Sequence, residues 1–274
     1  GRISGVDKWS GDYSVVVAGF DDESDFEAKA FELPIDVDGA VHSKVIPLQD
    51  GGSLRIRGSV DRVDVLEQDG QQFVRVVDYK SGAKAFRLAD IVNGLNLQMF
   101  LYLFNVCADG SNPYAGVPAG VLYMHAARSV MTVETKSSAE KDIAGQEDKA
   151  FGMNGIVITN PDCDIPAAME HDLAGKYIPV RLKKSGVGGS LASLEQLGLL
   201  QRKIEALVAD MGNALQNGQI GQHPVQAKDH DKTCEYCDFA SVCAFKKSVT
   251  PRTYDDQTDS AVLAELEKEG ENHA

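Results

Sequence analysis

Asp78 and Lys80 stand two positions apart in Phe73-Val74-Arg75-Val76-Val77-Asp78-Tyr79-Lys80. An extended backbone sends both side chains to one face, together with Val74 and Val76. Asp61 lies 17 residues earlier, in Gly58-Ser59-Val60-Asp61-Arg62-Val63-Asp64. Two carboxylates that converge repel one another unless a divalent cation lies between them, and hard oxygen ligands with open water positions suit magnesium or manganese. A lysine beside such an ion can polarise a water or stabilise charge that builds on a phosphoryl oxygen, while the metal lowers the pKa of the attacking water. Phosphodiester hydrolysis is the natural reaction. The plainer reading of a bare Asp-x-Lys is a same-face ion pair on an exposed strand, worth about 0–1 kcal/mol, with Asp61 in a turn.

Cysteine carries the second possible chemistry. Of the five, Cys234, Cys237 and Cys243 fall at Cys-x2-Cys-x5-Cys, while Cys107 and Cys163 are isolated. Three thiolates this close converge on a soft metal or a cluster. Zinc could take His230 as a fourth ligand, whereas an iron-sulfur cluster normally wants four cysteines, and the spacing does not choose between them. An odd cysteine count with metal spacing argues against a secreted disulfide framework and for a reducing compartment. Cys107, at the end of an apolar helix, reads as a buried thiol, and Cys163, in Pro161-Asp162-Cys163-Asp164, as a loop thiol.

The elements that must position these groups follow from periodicity. Leu54, Ile56, Gly58 and Val60 alternate with polar residues, and then the apolar parity passes to Val63 and Val65, which predicts a strand with a kink or bulge near Asp61. The Asp69-Gly70 pair supplies the positive φ of a tight hairpin, so the strand over Phe73–Lys80 should pair antiparallel with the first. Residues 88–106 change period, with Ile91, Leu95, Gln98, Met99 and Tyr102 at three and four, and predict a largely apolar helix that Gly94 weakens. Gly120–His125 reads as a central strand. A long amphipathic helix is expected over about Leu194–Gln216, with a capping box in Ser193 and Gln196 and with Gly218 past its end. Residues 1–50 suggest strands and loops, about 129–150 a surface insertion, Ser185–Ser190 a flexible connector, and 248–274 an acidic, mobile tail.

Composition sets limits. The 274 residues are 43% hydrophobic and 25% charged, which excludes general disorder and leaves room for a substantial core without staples. A formal charge of −14 argues against a protein that coats nucleic acid through bulk charge, and leaves a small focused site open. No apolar run approaches a membrane span and no secretion signal opens the chain, so a cytoplasmic location is expected. The first residue is Gly rather than Met, and an excised segment of something longer is expected. His125, His171, His223 and His230 show no nucleophile spacing, and no phosphate loop occurs.

The order of these residues resembles the PD-(D/E)XK nucleases of the RecB type. The likeness covers most of 50–247: Asp61-Arg62-Val63-Asp64, Val77-Asp78-Tyr79-Lys80-Ser81, Leu97-Gln98-Met99-Phe100-Leu101-Tyr102-Leu103, Pro118-Ala119-Gly120-Val121-Leu122-Tyr123 and the run from Cys234 to Cys243. Within the family it is nearest to the C-terminal nuclease domains of bacterial helicase-nuclease subunits in double-strand-break repair. The resemblance implies an α/β, restriction-endonuclease-like core, a central mixed sheet flanked by helices, with residues 51–247 as the nuclease domain and 1–50 leading into it. It makes Asp61 and Asp78 magnesium (or manganese) ligands, Lys80 the catalytic lysine, and Gln98 and Tyr102 the helix residues that face DNA and the active site; Asp64 is left structural, pairing with Arg62 or a neighbouring strand. It favours a 4Fe-4S cluster on Cys234, Cys237 and Cys243 with a fourth cysteine from outside this chain, and implies DNA and a helicase-bearing, AddA-like subunit as partners. One departure stands out: family members carry a histidine or glutamate on a helix before the core sheet, and nothing in 1–50 matches it, His42 lacking a helical context. The isolated chain should therefore cut DNA weakly if at all. The rival reading is a non-catalytic docking and DNA-guiding module with a nuclease-like fold.

Overall fold

The computed structural model of the chain describes residues 20–80, 85–108, 110–125, 152–219, 221, 223–228, 237–239 and 251–272. The expected insertion over 129–150 and the residues Cys234, Cys243 and His230 lie outside them.

A mixed sheet of seven strands forms the centre. In chain order the strands are β1 (Glu27–Asp36), β2 (Val41–His42), β3 (Val45–Pro47), β4 (Ser53–Arg55), β5 (Gly58–Gln68), β6 (Gln71–Lys80), β7 (Val117–His125), β8 (Asn154–Thr159), β9 (Val180–Lys183), β10 (Gly186–Gly189), β11 (Leu191–Ser193), β12 (Val225–Ala227) and β13 (Arg252–Tyr254). The helices are α1 (Leu88–Val92), α2 (Gln98–Ala108), α3 (Ile165–Met169), α4 (Leu194–Gln216) and α5 (Asp259–Asn272). The large sheet runs β11-β8-β7-β6-β5-β1-β2. β5 and β6 are antiparallel, and β6 and β7 are parallel across a crossover that contains α2.

By its internal packing the chain divides into two units. One takes the chain up to Lys44, Arg55–Phe86 and Gln98–Leu197; the other takes Val45–Leu54, Arg87–Leu97 and the chain from Gly198. The first contains the large sheet and every expected active-site residue.

The β5–β6 hairpin forms as its turn residues dictate. Asp69 (φ 52°) and Gly70 (φ 78°) both take positive φ between the paired Gln68 and Gln71, the two-residue turn whose twist matches the strands. Phe73, Val77, Leu122 and Met124 belong to a core with Phe20, Phe26, Met169 and Tyr177. The bulge expected near Asp61 on β5 falls on the neighbouring strand instead: β1 carries a register shift between Ala28 and Ala30, opposite Asp64 and Val63, while the pairing from Ala30–Val63 to Ile35–Gly58 stays in step. Glu32, across from Asp61, takes φ 49°.

Four sequence expectations are corrected. The helix expected over 88–106 breaks into α1 and α2, because Gly94 (φ 89°) and Asn96 (φ 56°) turn the chain and Asn93, Gly94 and Leu95 close the first piece with N–H bonds to Asp90 and Ile91 carbonyls; glycine there ends a helix rather than weakening it. Ser185–Ser190 is no loose connector: β9 and β10 pair from Gly186–Lys183 to Gly189–Val180, with Gly186 and Gly189 supplying positive φ. Within the tail, Arg252–Tyr254 and Asp259–Asn272 form β13 and α5. Val262, Leu263 and Leu266 are buried, the Asp259 carboxylate accepts from the Leu88 N–H (2.8 Å), and the Tyr254 hydroxyl donates to Asp90 (2.6 Å). Cys163 lies in a bend as expected, but its thiol is buried and donates to Gln68 Oε1 (3.1 Å). The long helix α4 keeps the expected bounds, with reciprocal Ser193–Gln196 bonds (2.8 and 3.1 Å) at its start and Gly218 (φ 67°) at its end.

Behind the hairpin lies a buried ionic network. Asp64 accepts from Arg62 Nε (2.6 Å) on its own strand and from Arg75 Nε (2.8 Å) directly across the ladder, and all three are 0% exposed. Arg62 also reaches Asp21 (2.5 Å), and the Arg75 guanidinium lies over the Phe20 and Phe26 rings at 4.3 and 4.6 Å. Burial pulls the Arg75 pKa down against the Asp64 charge, so loss of that charge would strand a cation in an apolar site. Asp64→Asn should cost about 3–5 kcal/mol, read from denaturant unfolding of the protein, and Arg75→Met added to it should recover part of the loss. A change below about 1 kcal/mol would contradict the role given to Asp64.

Candidate active site

The ladder between β5 and β6 ends at the pair Arg62–Val77, so Asp61 and Asp78 occupy the next positions along the two strands. There the Asp61 carboxylate replaces a main-chain acceptor: its Oδ2 takes the Tyr79 N–H at 2.9 Å. That bond ties Asp61 to the residue between Asp78 and Lys80.

Alternation along β6 puts Asp78 and Lys80 on a common face, and Lys80 Nζ stands 2.5 Å from Asp78 Oδ2. The carboxylate side chain is 6% exposed and the lysine 29%. A pair at that depth keeps the ammonium within reach of solvent while the anion is largely desolvated, which strengthens its hold on any cation.

β7 supplies a floor that no sequence pattern marks. Its parallel register sets Tyr123 beside Asp78 and His125 beside Lys80. Lys80 Nζ lies 5.6 Å from the centroid of the Tyr123 ring, within cation–π range. Behind Tyr123 the ring of Phe86 packs at 6.3 Å, and Phe86 meets Phe100 of α2 at 6.2 Å. Burial, aided by the Asp78 charge, pushes the Tyr123 pKa up to about 12; the phenol is neutral at physiological pH and is no base. No spacing within Gly120–His125 singles out Tyr123, because its partner across a parallel ladder lies 45 residues away. His125, given a structural role from the sequence, sits at the rim of the same face.

The first turn of α2 carries Gln98 and Tyr102. Gln98 is exposed and Tyr102 buried, and the Gln98 amide donates to the Tyr102 hydroxyl at 3.1 Å.

Two carboxylates and a lysine make a hard-oxygen site suited to a cation that keeps much of its own water, as magnesium does when one or two carboxylates hold it. Among the described residues no group of three or more His, Cys, Asp or Glu side chains is placed to hold a metal ion. Of the cysteine motif only Cys237 is described, and it is exposed. Cys107, at the end of α2, has its pKa pushed up to about 12 by burial, consistent with an inert thiol. No helix among the described residues is long and apolar enough to cross a membrane.

Comparison with known proteins adds a family. The PD-(D/E)XK nuclease superfamily profile matches residues 15–244. The B-type subunit of the ATP-dependent helicase/deoxyribonuclease of Ruminiclostridium cellulolyticum is 32% identical over 231 residues, 82% of this chain and 20% of that protein. Its namesakes from Acetivibrio thermocellus and Clostridium botulinum (strain Loch Maree) are 30% and 28% identical over 261 and 254 residues, covering 90% and 89% of this chain and 22% of each relative. The chain thus spans about a fifth of the length of the curated relatives it matches.

The Asp61–Tyr79 bond can be read in isolation. Asp61→Ala should speed hydrogen exchange of the Tyr79 amide about tenfold, the equivalent of ~1.4 kcal/mol for one hydrogen bond to a charged acceptor, and leave the Val76 amide deeper in the ladder unchanged. Equal exchange at Tyr79 in both proteins would contradict the bond.

Proposed function

The chain belongs to the PD-(D/E)XK nuclease superfamily, and on that premise we propose that it is the nuclease domain of an AddB-type subunit in a helicase-nuclease for double-strand-break repair and recombination, hydrolysing DNA phosphodiester bonds in unwound single strands with magnesium or manganese. The observation that carries this reading is Lys80 held 2.5 Å from Asp78, beside an Asp61 tied to the intervening residue. The name of the relatives joins a helicase to a deoxyribonuclease, and an AddA-like subunit is the partner we assign. An acidic chain of net charge −14 suits a domain that receives DNA through a larger assembly instead of capturing duplex unaided.

Asp61 and Asp78 would hold the cation, whose chemistry when bound is to lower the pKa of a water and to draw electron density from a phosphoryl oxygen. The residues of the chain do the rest. Lys80, held by the Asp78 carboxylate and near the Tyr123 ring, presents its ammonium to the phosphorane as negative charge builds. The water oxygen releases one proton to solvent and bonds to phosphorus, the bond to one bridging oxygen breaks, and that oxygen takes a proton from solvent water and leaves as a hydroxyl. Tyr123, neutral and apolar in its ring, keeps the floor of the site dry, which strengthens the fixed charges above it. Gln98 and Tyr102 line the approach of the strand.

The cysteine motif is assigned a 4Fe-4S cluster in the full-length protein, on Cys234, Cys237 and Cys243 with a fourth cysteine from elsewhere. Anaerobically purified full-length protein should then be brown and contain iron; a colourless, zinc-loaded protein would overturn that assignment.

The activity itself is tested in the full-length protein with its helicase partner. Asp78→Ala and Lys80→Ala should each lower magnesium-dependent cleavage of single strands by about 10²–10³-fold or more, with melting temperature and partner binding little changed. Undiminished cleavage would refute the catalytic assignment, and loss of partner binding in its place would favour the non-catalytic docking module.

A further inference from the structure

Gly58 opens β5 three residues before Asp61. Its backbone does not call for glycine: it is a strand residue paired with Ile35, and its φ is not in the positive region. Space does call for it. A Cβ at this position would stand 2.2 Å from the Tyr102 hydroxyl oxygen and 2.8 and 2.9 Å from Cζ and Cε1 of the same ring, distances that real Cβ atoms essentially never show. The end of the Tyr102 side chain therefore rests directly on the Gly58 main chain. Tyr102 is 8% exposed and α2 is packed on β6 and β7, so the ring has little room to retreat. Its hydroxyl is also the acceptor of the Gln98 amide, and Gln98 is the exposed member of the pair.

These contacts run in series. The bare main chain at Gly58 sets the depth of the Tyr102 ring, the ring sets the place of the hydroxyl, and the hydroxyl orients the exposed amide of Gln98 at the start of α2. We propose that Gly58 is a positioning residue of the active site: the space left by its missing side chain seats the Tyr102 phenol, which in turn fixes the Gln98 amide for the DNA strand. The inference rests on the nuclease reading given above. It assigns Gly58 no contact with substrate.

Action through a single intermediary makes the proposal testable by a double-mutant cycle. Single-strand cleavage is measured with the full-length protein and its helicase partner, for Gly58→Ala, Tyr102→Ala and the two combined, with kcat and KM separated and melting temperatures recorded. Gly58→Ala forces the ring out and should lower kcat/KM on the order of tenfold to a hundredfold, the scale of an ångström-sized misplacement near the chemistry. Tyr102→Ala should lower it to a similar degree. The combined variant should be no slower than Tyr102→Ala and should melt at about the same temperature, because the three atoms nearest a methyl at position 58 all belong to the ring that is gone. Losses that multiply in the combined variant would overturn the proposal, and so would a Gly58→Ala protein with unchanged kcat/KM. Should Gly58→Ala alone fail to fold, comparison of the combined variant with Tyr102→Ala decides in the same way. Asp78→Ala is run alongside: if that protein still cuts, the nuclease reading fails and the positioning role with it, while the melting temperatures still report whether Gly58 seats Tyr102.

Discussion

The register of the β5–β6 hairpin is the constraint on which the site depends. A slip of one residue would turn every side chain of one strand to the other face, parting Asp61 from Asp78 and Lys80. Two features hold it. The Asp69-Gly70 turn closes on two residues of positive φ, which fixes how many residues can lie in the bend. Five positions before the turn on β5, Asp64 lies directly opposite Arg75, and the carboxylate bonds to that guanidinium as well as to Arg62. A slipped hairpin would strain the turn and strip a fully buried arginine of its counter-charge at once.

The two ionic groupings of the hairpin do different work, and their depth tells them apart. Arg62, Asp64 and Arg75 are sealed from solvent, with aromatic rings around the guanidinium groups. Such a network contributes little net stability compared with an apolar core, yet leaving any one member unpaired is costly, so it selects one pairing of strands over others. The Lys80–Asp78 pair stands at the open end of the same strands with its ammonium partly in water and its carboxylate nearly buried, so the attraction is offset by the desolvation of Asp78. Stability is therefore a poor reason for placing it there, while the proposed hydrolysis would benefit from an ammonium that is both held and accessible. The Tyr123 ring, packed on Phe86, adds a second contact to the ammonium.

Much of this is legible in the sequence because it is local. The hairpin follows from Asp69-Gly70 between alternating runs, the shared face of Asp78 and Lys80 from their spacing, the Gln98–Tyr102 contact from one helical turn, and the α4 boundaries from Ser193, Gln196 and Gly218. What escapes depends on residues far apart. Tyr123 enters the site only through a parallel ladder, and the meaning of Gly58 emerges only through a side chain 44 positions later. Gly94 looks like a weak point of one helix because periodicity continues across it, and only its positive φ with that of Asn96 shows two helices. The order beyond Thr250 is hidden in the sequence because few apolar residues suffice when Tyr254 and Asp259 also find buried partners.

A divalent cation held between Asp61 and Asp78 beside Lys80 is the centre of the account. Anomalous scattering from manganese in crystals of the full-length protein locates such an ion directly. A peak at the two carboxylates that disappears in Asp78→Ala is the expected result; manganese bound only at other residues, with both carboxylates free of it at saturating concentration, would contradict a cation shared by Asp61 and Asp78.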